Sequence, residues 1–462
     1  YYYFTFLSAS DAIIMLIYCG AHRIINSTIK KWSGRMIDIV IKSITFVRNF
    51  GVHSLQTAFL SSRIAGVLQL DPVEAFYSGI FHDIGMITPH NGIALDDVNY
   101  RYITDRDLTS NEIGINEHAL MSSFEISRLS KLTKIFPNIS SNILLHHALA
   151  KYLDSSQKSD VMANIISIAD VMSLYTINNQ EEMSFEDFKT SLWPTKERYF
   201  DFVYDAALAT IKEDYTRWML YDIKSGNNKE RIINDFTFNE KYSFEDALET
   251  GSILSYIIDS KSSFTRDHSW RVARIASAIA KELMLDDEDF FIAGLFHDIG
   301  KIITPIGILE KKGKLNEREM DIMRKHVYYS YLILSNHKDE PWFLPAVRHQ
   351  ERIDGSGYPL RLTGDKMTFK DKTLQVADYF AAVLEPRPYR SANSPEQAYE
   401  EIAKAVSNGV LDKSPANILK ELVFGGYDFS NLNFTSQIQI EISNFEETVV
   451  RKRRKDNSIE AS

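Results

Sequence analysis

Two short stretches of this chain are near copies. "FHDIGMI" at Phe81–Ile87 and "FHDIGKI" at Phe296–Ile302 differ at one position, where Met86 stands against Lys301. Each follows another histidine by 29 residues, His53 before His82 and His268 before His297. The intervals share a pattern as well: one helix with an apolar stripe, a short acidic turn (Leu70-Asp71-Pro72 or Leu285-Asp286-Asp287), then a second apolar helix. A repeat that keeps spacing as well as residue type signals a duplicated structural unit. Both copies have helical periodicity, so the expected fold is all-α, with two similar helical domains in tandem.

In the first copy the stripe runs through Leu55, Phe59, Ile64, Val67 and Leu68. In the second it runs through Val272, Ile275, Ile279 and Leu283, with Arg271, Arg274 and Lys281 expected on the outward face. A length of 462 residues allows each body its own core. We expect a first domain over residues 1–225, a connection over 226–242, a second domain over 243–450 and a basic tail over 451–462. Trp193, Phe200, Phe202 and Trp218, near the end of the first domain, are expected in its core or at a domain contact.

The formal charge of -10 argues against broad adhesion to nucleic-acid polymers or anionic membranes, yet it leaves room for a small anion held by metal ions or a few lysines. The lone cysteine, Cys19, permits no intrachain disulfide and suits a reducing, cytoplasmic setting. The opening "YYYFTFLSASDAIIMLIYCG" is apolar but interrupted by Asp11, and is read as a packed helix rather than an integral membrane segment. No phosphate-binding G-x-x-x-x-G-K-[S/T] run is present, so ATP-driven chemistry is unsupported.

The second copy gathers the residues with the most chemistry. His268, His297, Asp298, His326, His349 and Asp378 bring four imidazoles and two carboxylates to an otherwise helical region. Neutral imidazole nitrogen and carboxylate oxygen suit iron, manganese, zinc or cobalt, and one carboxylate can bridge two ions. Paired metals lower the pKa of a shared water and offset charge on phosphoryl oxygens, a direct route to phosphodiester cleavage. Lys301 follows Asp298 by three residues, so its ammonium is expected on the same side, facing a substrate phosphate. Next comes "RHQERIDGSGYP" at 348–359, where Gly355, Gly357 and Pro359 allow a tight loop and Tyr358 offers a ring either to stack on a base or to pack the loop. Arg387, Tyr389 and Arg390 in "RPYR" add two cations and another ring, for phosphate or for salt bridges within an acidic loop.

Read in order, "HDIGK", "HQERIDGSGYP" and "RPYR", with His268, His326 and Asp378 between and around them, resemble the HD-GYP family of bacterial cyclic-dinucleotide phosphodiesterases over about residues 245 to 435. The resemblance implies an all-helical HD-superfamily fold and two divalent metal ions, commonly iron or manganese. It also implies hydrolysis of cyclic di-GMP or 3'3'-cyclic GMP-AMP to a linear dinucleotide. It carries over His268, His297, Asp298, His326, His349 and Asp378 as metal ligands, and Asp298 and Lys301 as catalytic residues. Lys301, Asp354, Gly355, Gly357, Tyr358, Arg387 and Arg390 are carried over as substrate-binding residues. The family usually has a second histidine directly after the one matching His349; this chain has Gln350, whose amide is a neutral and weaker donor to a metal.

The first copy resembles the HD-superfamily domain that precedes HD-GYP in tandem proteins. His53, His82, Asp83, His118, His146, His147 and Asp170 fill every ligand place, the adjacent histidines included, yet "HHALAKYLDSSQK" has no GYP loop. A second metal site is therefore expected in a domain with a regulatory or assembly role. Three readings of the whole chain stand: a hydrolase, a catalytically weak cyclic-dinucleotide sensor, and a metal-stabilised interaction or dimerisation protein. A cyclic dinucleotide is the expected partner and a second copy of the chain a candidate one, with no nucleic-acid polymer expected.

Overall fold

The computed structural model describes residues 36–87, 116–236, 241–259, 261, 267–385, 392–429 and 438–448. The opening stretch with Cys19, the "RPYR" segment with Arg387 and Arg390, and the basic tail lie outside the described residues. The described residues form helices joined by turns, with no strand among them beyond isolated bridges such as Asp354 to Thr363.

The first body contains α1 (Met36–Phe46), α2 (Arg48–Val67), α3 (Pro72–Phe81), α4 (Glu117–Ser127), α5 (Ser130–Ile135), α6 (Ile139–Leu144), α7 (Lys158–Asn178), α8 (Phe185–Leu192), α9 (Asp201–Lys212), α10 (Asp214–Lys224) and α11 (Lys229–Phe236). The second contains α12 (Phe244–Asp259), α13 (His268–Glu282), α14 (Glu288–Phe296), α15 (Ile306–Leu309), α16 (Glu317–Leu334), α17 (Phe343–Arg348), α18 (Phe369–Leu384), α19 (Pro395–Ser407) and α20 (Lys413–Phe424). The repeat read from the sequence is thus a repeat of elements. α2 packs on α3 and α7, as α13 packs on α14 and α18, and a 3-10 turn follows each motif helix, at Ile84–Ile87 and Ile299–Ile303.

Local chemistry sets where these helices begin. Asp71 caps α3 by accepting from the backbone N–H groups of Val73 (2.8 Å) and Glu74 (3.2 Å), and Pro72 occupies the first turn, where a missing N–H costs nothing. Asn316 with Glu319 and Thr368 with Asp371 form reciprocal capping boxes at the starts of α16 and α18. The apolar stripes are buried at Leu55, Phe59, Ile64, Val272, Ile275 and Ile279, but their last members differ from expectation. Val67 and Leu283, at the C-terminal ends of their helices, are exposed, while Leu68 is half-buried against the core.

The aromatic residues near the end of the first body also depart from the expectation. Phe200 is half-buried against the core, whereas Trp193, Phe202 and Trp218 are exposed. The inward faces of α9 and α10 are already filled by Val203, Ala207 and Ile211 and by Met219, Leu220 and Ile223. Phe202 instead stacks on Phe200 with ring centroids 5.5 Å apart.

The expected connection contains structure. α11 falls within it, buries Ile232 and Ile233, and ends on Phe236, whose ring stacks on Phe76 at 4.2 Å. The two bodies also share contacts. α1 belongs to the first body in sequence but packs on α12, on α16 and on the turn Ile299–Ile303. Its buried Asp38 accepts from Asn336 at 3.2 Å, Lys42 donates to Ser335 Oγ at 3.2 Å, and Phe46 meets Tyr329 edge-on at 5.8 Å. The described helix long and apolar enough to cross a membrane is α7, and it is largely buried inside the first body.

Candidate metal centres

In both bodies the His-Asp pair sits where the motif helix ends and the chain turns into a 3-10 segment. That turn passes unusually close to the helix bringing the next histidine. A Cβ on Gly300 would lie 1.9 Å from the carbonyl oxygen of His326, and one on Gly85 would lie 2.3 Å from that of His118. Only glycine permits this approach. Ser330 Oγ accepts from Gly300 N at 2.9 Å and donates to the carbonyl of His297 at 3.0 Å; in the first body Ser122 Oγ accepts from Gly85 N at 2.8 Å. The "HDIG" tetrad is therefore a way of docking the pair against a second helix.

The result in the second body is a buried ring of donors divided by one carboxylate. Asp298 Oδ2 faces His297 Nε2 at 3.2 Å and His268 Nε2 at 3.8 Å, while Oδ1 faces His326 Nε2 at 3.4 Å and His349 Nε2 at 3.5 Å. Asp378 Oδ1 completes the first group, 3.2 Å from His268 and 3.8 Å from His297. The first body repeats the plan. Asp83 Oδ2 faces His82 at 3.3 Å and His53 at 3.6 Å, with Asp170 3.2 Å from His53, and Oδ1 faces His118 at 3.4 Å and His146 at 3.6 Å. His147 Nε2 joins this second group 2.8 Å from His118 Nε2.

These residues fit divalent ions. The Nδ1–H groups of His82, His146, His297, His326 and His349 each donate to a carbonyl three residues earlier, at 2.6 to 2.8 Å, which turns the Nε2 lone pairs into the cluster. Nε2 of His326 and His349 face each other at 3.2 Å, as do those of His53 and His82 at 3.3 Å. Facing lone pairs repel unless a cation or proton lies between them. His146 Nε2, His297 Nε2 and Asp298 Oδ1 are buried without a hydrogen-bond partner, a cost that a coordinated cation removes.

Electrostatics follows the same division in both bodies. Burial opposes the charged form of His268, but Glu385 and Asp378 overcome it and raise the pKa to about 10. Burial likewise opposes His53, and Asp170 with Asp83 raises it to about 9. Burial pushes His326 down to about 3 and His118 down to about 4, so these two imidazoles are held neutral. Asp298 is held well below the carboxylate range; burial works against this, and His297 and Lys301 outweigh it.

Lys301 pairs directly with Asp298 Oδ2. Its counterpart Met86 is buried in the first body's core. Gln350 stands at the place of His147, but its amide donates to Asp378 Oδ2 at 3.3 Å. The second group of the second body is thus left with Asp298 Oδ1, His326 and His349. Tyr358 is half-buried beside the cluster, its ring edge-on to His326 at 6.3 Å and beneath the guanidinium of Arg324 at 5.7 Å. Asp354 is exposed and accepts from Ser356 N at 2.9 Å, shaping the loop in which Gly355 has φ of +79°.

Several supporting groups escaped the sequence reading. Glu385 accepts from His268 Nδ1 at 2.9 Å and from Arg271 at 2.6 Å, so Arg271 turns toward the cluster rather than outward as expected. Its signal was the seven-residue step from Asp378, two helical turns along one face. Lys261 donates to the carbonyls of Ile302 (2.8 Å) and Thr304 (2.9 Å), securing the end of the turn that carries Lys301. Nothing in the pattern around Lys261 pointed to that role.

The HD domain family matches this chain twice, over residues 50–174 and over residues 252–414. The chain is 34% identical over 189 residues to the 3'3'-cGAMP-specific phosphodiesterase 1 of Vibrio cholerae, a match covering 39% of this chain and 43% of that protein. It is 28% identical over 244 residues to the 3'3'-cGAMP-specific phosphodiesterase 3 of the same species, covering 50% of each. It is 38% identical over 150 residues to the cyclic di-GMP phosphodiesterase response regulator RpfG of Xanthomonas campestris, covering 31% of this chain and 40% of that protein. The chain spans half or less of the length of these curated relatives. A crystal structure of a cyclic GMP-AMP specific phosphodiesterase of V. cholerae, V-cGAP3, shares the fold over 84% of this chain and 97% of that one, with a TM-score of 0.53 at 17% identity. With both family matches falling on the two bodies that repeat one another, the chain belongs to the HD-domain family, as two HD domains in tandem.

Proposed function

We propose that the second domain hydrolyses a cyclic dinucleotide, cyclic di-GMP or 3'3'-cyclic GMP-AMP, to a linear dinucleotide. The observation that carries this reading is Asp298, whose two oxygens face two separate histidine groups while the half-buried Lys301 stands against it. The names of the similar proteins support the substrate class. Two divalent ions, iron or manganese, would supply Lewis-acid stabilisation of phosphoryl charge and a lowered pKa for the attacking water.

The chain's own residues take the remaining tasks. His268, His297, Asp378 and Asp298 Oδ2 would hold one ion, and His326, His349 and Asp298 Oδ1 the other, with Gln350 available through its carbonyl oxygen if the amide turns. Lys301 remains cationic, since Asp298 raises its pKa against the effect of burial, and can neutralise a non-bridging phosphate oxygen. Tyr358 offers its ring to a base, on a loop shaped by Asp354, Gly355 and Gly357. Arg387 and Arg390 are assigned to the phosphate side on the resemblance alone.

The first domain is proposed to bind metal through His53, His82, Asp83, His118, His146, His147 and Asp170, and to serve regulation or assembly. The buried Met86 at the place of the lysine supports this division of labour between residues 1–225 and 243–450. The reading extends to a cytoplasmic setting and to a second copy of the chain as a partner. A sensor with little turnover is favoured by one observation, the three-donor group left when Gln350 faces Asp378.

The test is product analysis after incubating protein loaded anoxically with iron, or with manganese, with each dinucleotide. A linear product abolished by Asp298→Ala establishes the hydrolase. Binding without product at verified metal occupancy replaces it with the sensor.

A further inference from the structure

The loop that presents Tyr358 is fastened from behind by a carboxylate. Glu351, two residues after His349, is fully buried, and its two oxygens accept from the backbone N–H groups of Leu360 at 2.7 Å and Leu362 at 2.8 Å. Among the described residues it has no cationic partner. A buried carboxylate is costly, and here the cost is offset only by two N–H groups of the loop, so its location ties the loop's far arm to the segment leaving His349. Two further contacts tighten the fold-back: Tyr358 N donates to Gln350 O at 3.1 Å, and a Cβ on Gly357 would lie 2.4 Å from Glu351 Cα. Arg352 donates to the carbonyls of His349 (2.9 Å) and Glu351 (2.7 Å), fixing the same segment from its other side.

We propose that Glu351 is a positioning residue for substrate recognition: by clasping Leu360 and Leu362 it holds Tyr358 against the His326 and Arg324 edge of the metal centre, where the dinucleotide base docks. This rests on the reading of the second domain as a cyclic-dinucleotide hydrolase. Glu351 touches neither the donor cluster nor the substrate in this account. It acts through the loop, so its loss selectively affects substrates that need the loop.

The experiment compares metal-loaded full-length protein with Glu351→Gln and Glu351→Ala on the preferred cyclic dinucleotide and on methyl p-nitrophenyl phosphate, a diester with no nucleobase for the loop to hold. Metal content is measured on the same samples. The expected result is a fall of about tenfold or more in the ratio of dinucleotide to aryl-diester kcat/KM, carried mainly by KM. Glu351→Ala should fall further than Glu351→Gln, which keeps one acceptor oxygen. Equal losses on both substrates, loss of metal, or no change would each overturn the proposal. If the wild-type protein turns over neither dinucleotide, the hydrolase reading fails instead, and the clasp is judged by limited trypsin digestion. Faster cleavage after the exposed Arg361 in Glu351→Gln supports it, and equal rates refute it.

Discussion

Lys301 reaches back three residues to set its ammonium against the Oδ2 oxygen of Asp298, the same oxygen that faces His297 and His268. The pair joins a half-buried cation at the edge of the cluster to its dividing carboxylate. In Lys301→Met, which installs the residue of the first copy, the fixed positive charge at that edge disappears while the helix ends and the donor set stay in place. We expect kcat on a cyclic dinucleotide to fall about a hundredfold, the scale of losing one preorganised charge-stabilising group. The melting temperature of the metal-loaded protein should change little. Equal activity in the two proteins would remove Lys301 from the reaction.

Asp298 and Asp83 each face both groups of their own body. Asp298→Asn is therefore expected to deplete metal from both groups of the second body and to lower turnover by more than about a hundredfold, since even residues behind a metal ligand cost ten- to a hundredfold. Asp83→Asn should deplete only the first body. Metal analysis of the two variants beside wild type tests this directly, and an Asp83→Asn protein with wild-type metal content would mean that the first cluster binds none.

The glycine of each motif gives a stability prediction. Gly300→Ala forces a methyl group to within 1.9 Å of the His326 carbonyl, an overlap that backbone must relieve by moving. Overpacking of this kind costs about 1–3 kcal/mol, and the shift separates Asp298 from His326. Thermal unfolding should show a lower midpoint, with metal affinity reduced in parallel. Gly307→Ala, where a Cβ would meet nothing within 4 Å, is the matched control and should leave both unchanged.

The grouping of donors was legible because the pattern and spacing of the motif residues follow from local geometry. The His-Asp pair ends a helix, glycine lets the turn dock, and a serine four residues past the next histidine receives the glycine N–H. What supports the donors was harder to read. Glu351 lies between Gln350 and Arg352 in a polar run that resembles solvated surface, and its burial follows from the loop folding back over it. Arg271 looked outward by helical periodicity, yet Glu385, 114 residues later, draws it toward the cluster. Phe202 and Trp218 show the opposite error: expected in the core or at a domain contact, they stand on α9 and α10, whose inward faces are already full, and are exposed. Periodicity identifies a face, but whether another element covers that face is a tertiary fact.

The boundary between the two bodies supplies a prediction in pH. Glu249 on α12 accepts from the backbone N–H of Ser130 at 2.9 Å, at the start of α5 in the first body. Burial raises its carboxyl from the ordinary 4.5 to about 7, against the opposing effect of the Ser130 hydrogen bond. The folded protein thus binds this proton more tightly than the unfolded chain. The associated stability is fully present below about pH 4.5 and is lost as pH rises through about 7. Glu249→Gln, neutral at every pH and still able to accept from Ser130, should lose this component. In thermal melts of metal-loaded protein, the variant should gain midpoint relative to wild type on going from pH 5 to pH 8. The comparison is a difference of differences, so titration of the metal-facing histidines, common to both proteins, cancels. A constant offset between variant and wild type across that range would show that Glu249 titrates as it would in water, and that the contact between α5 and α12 does not bury its charge.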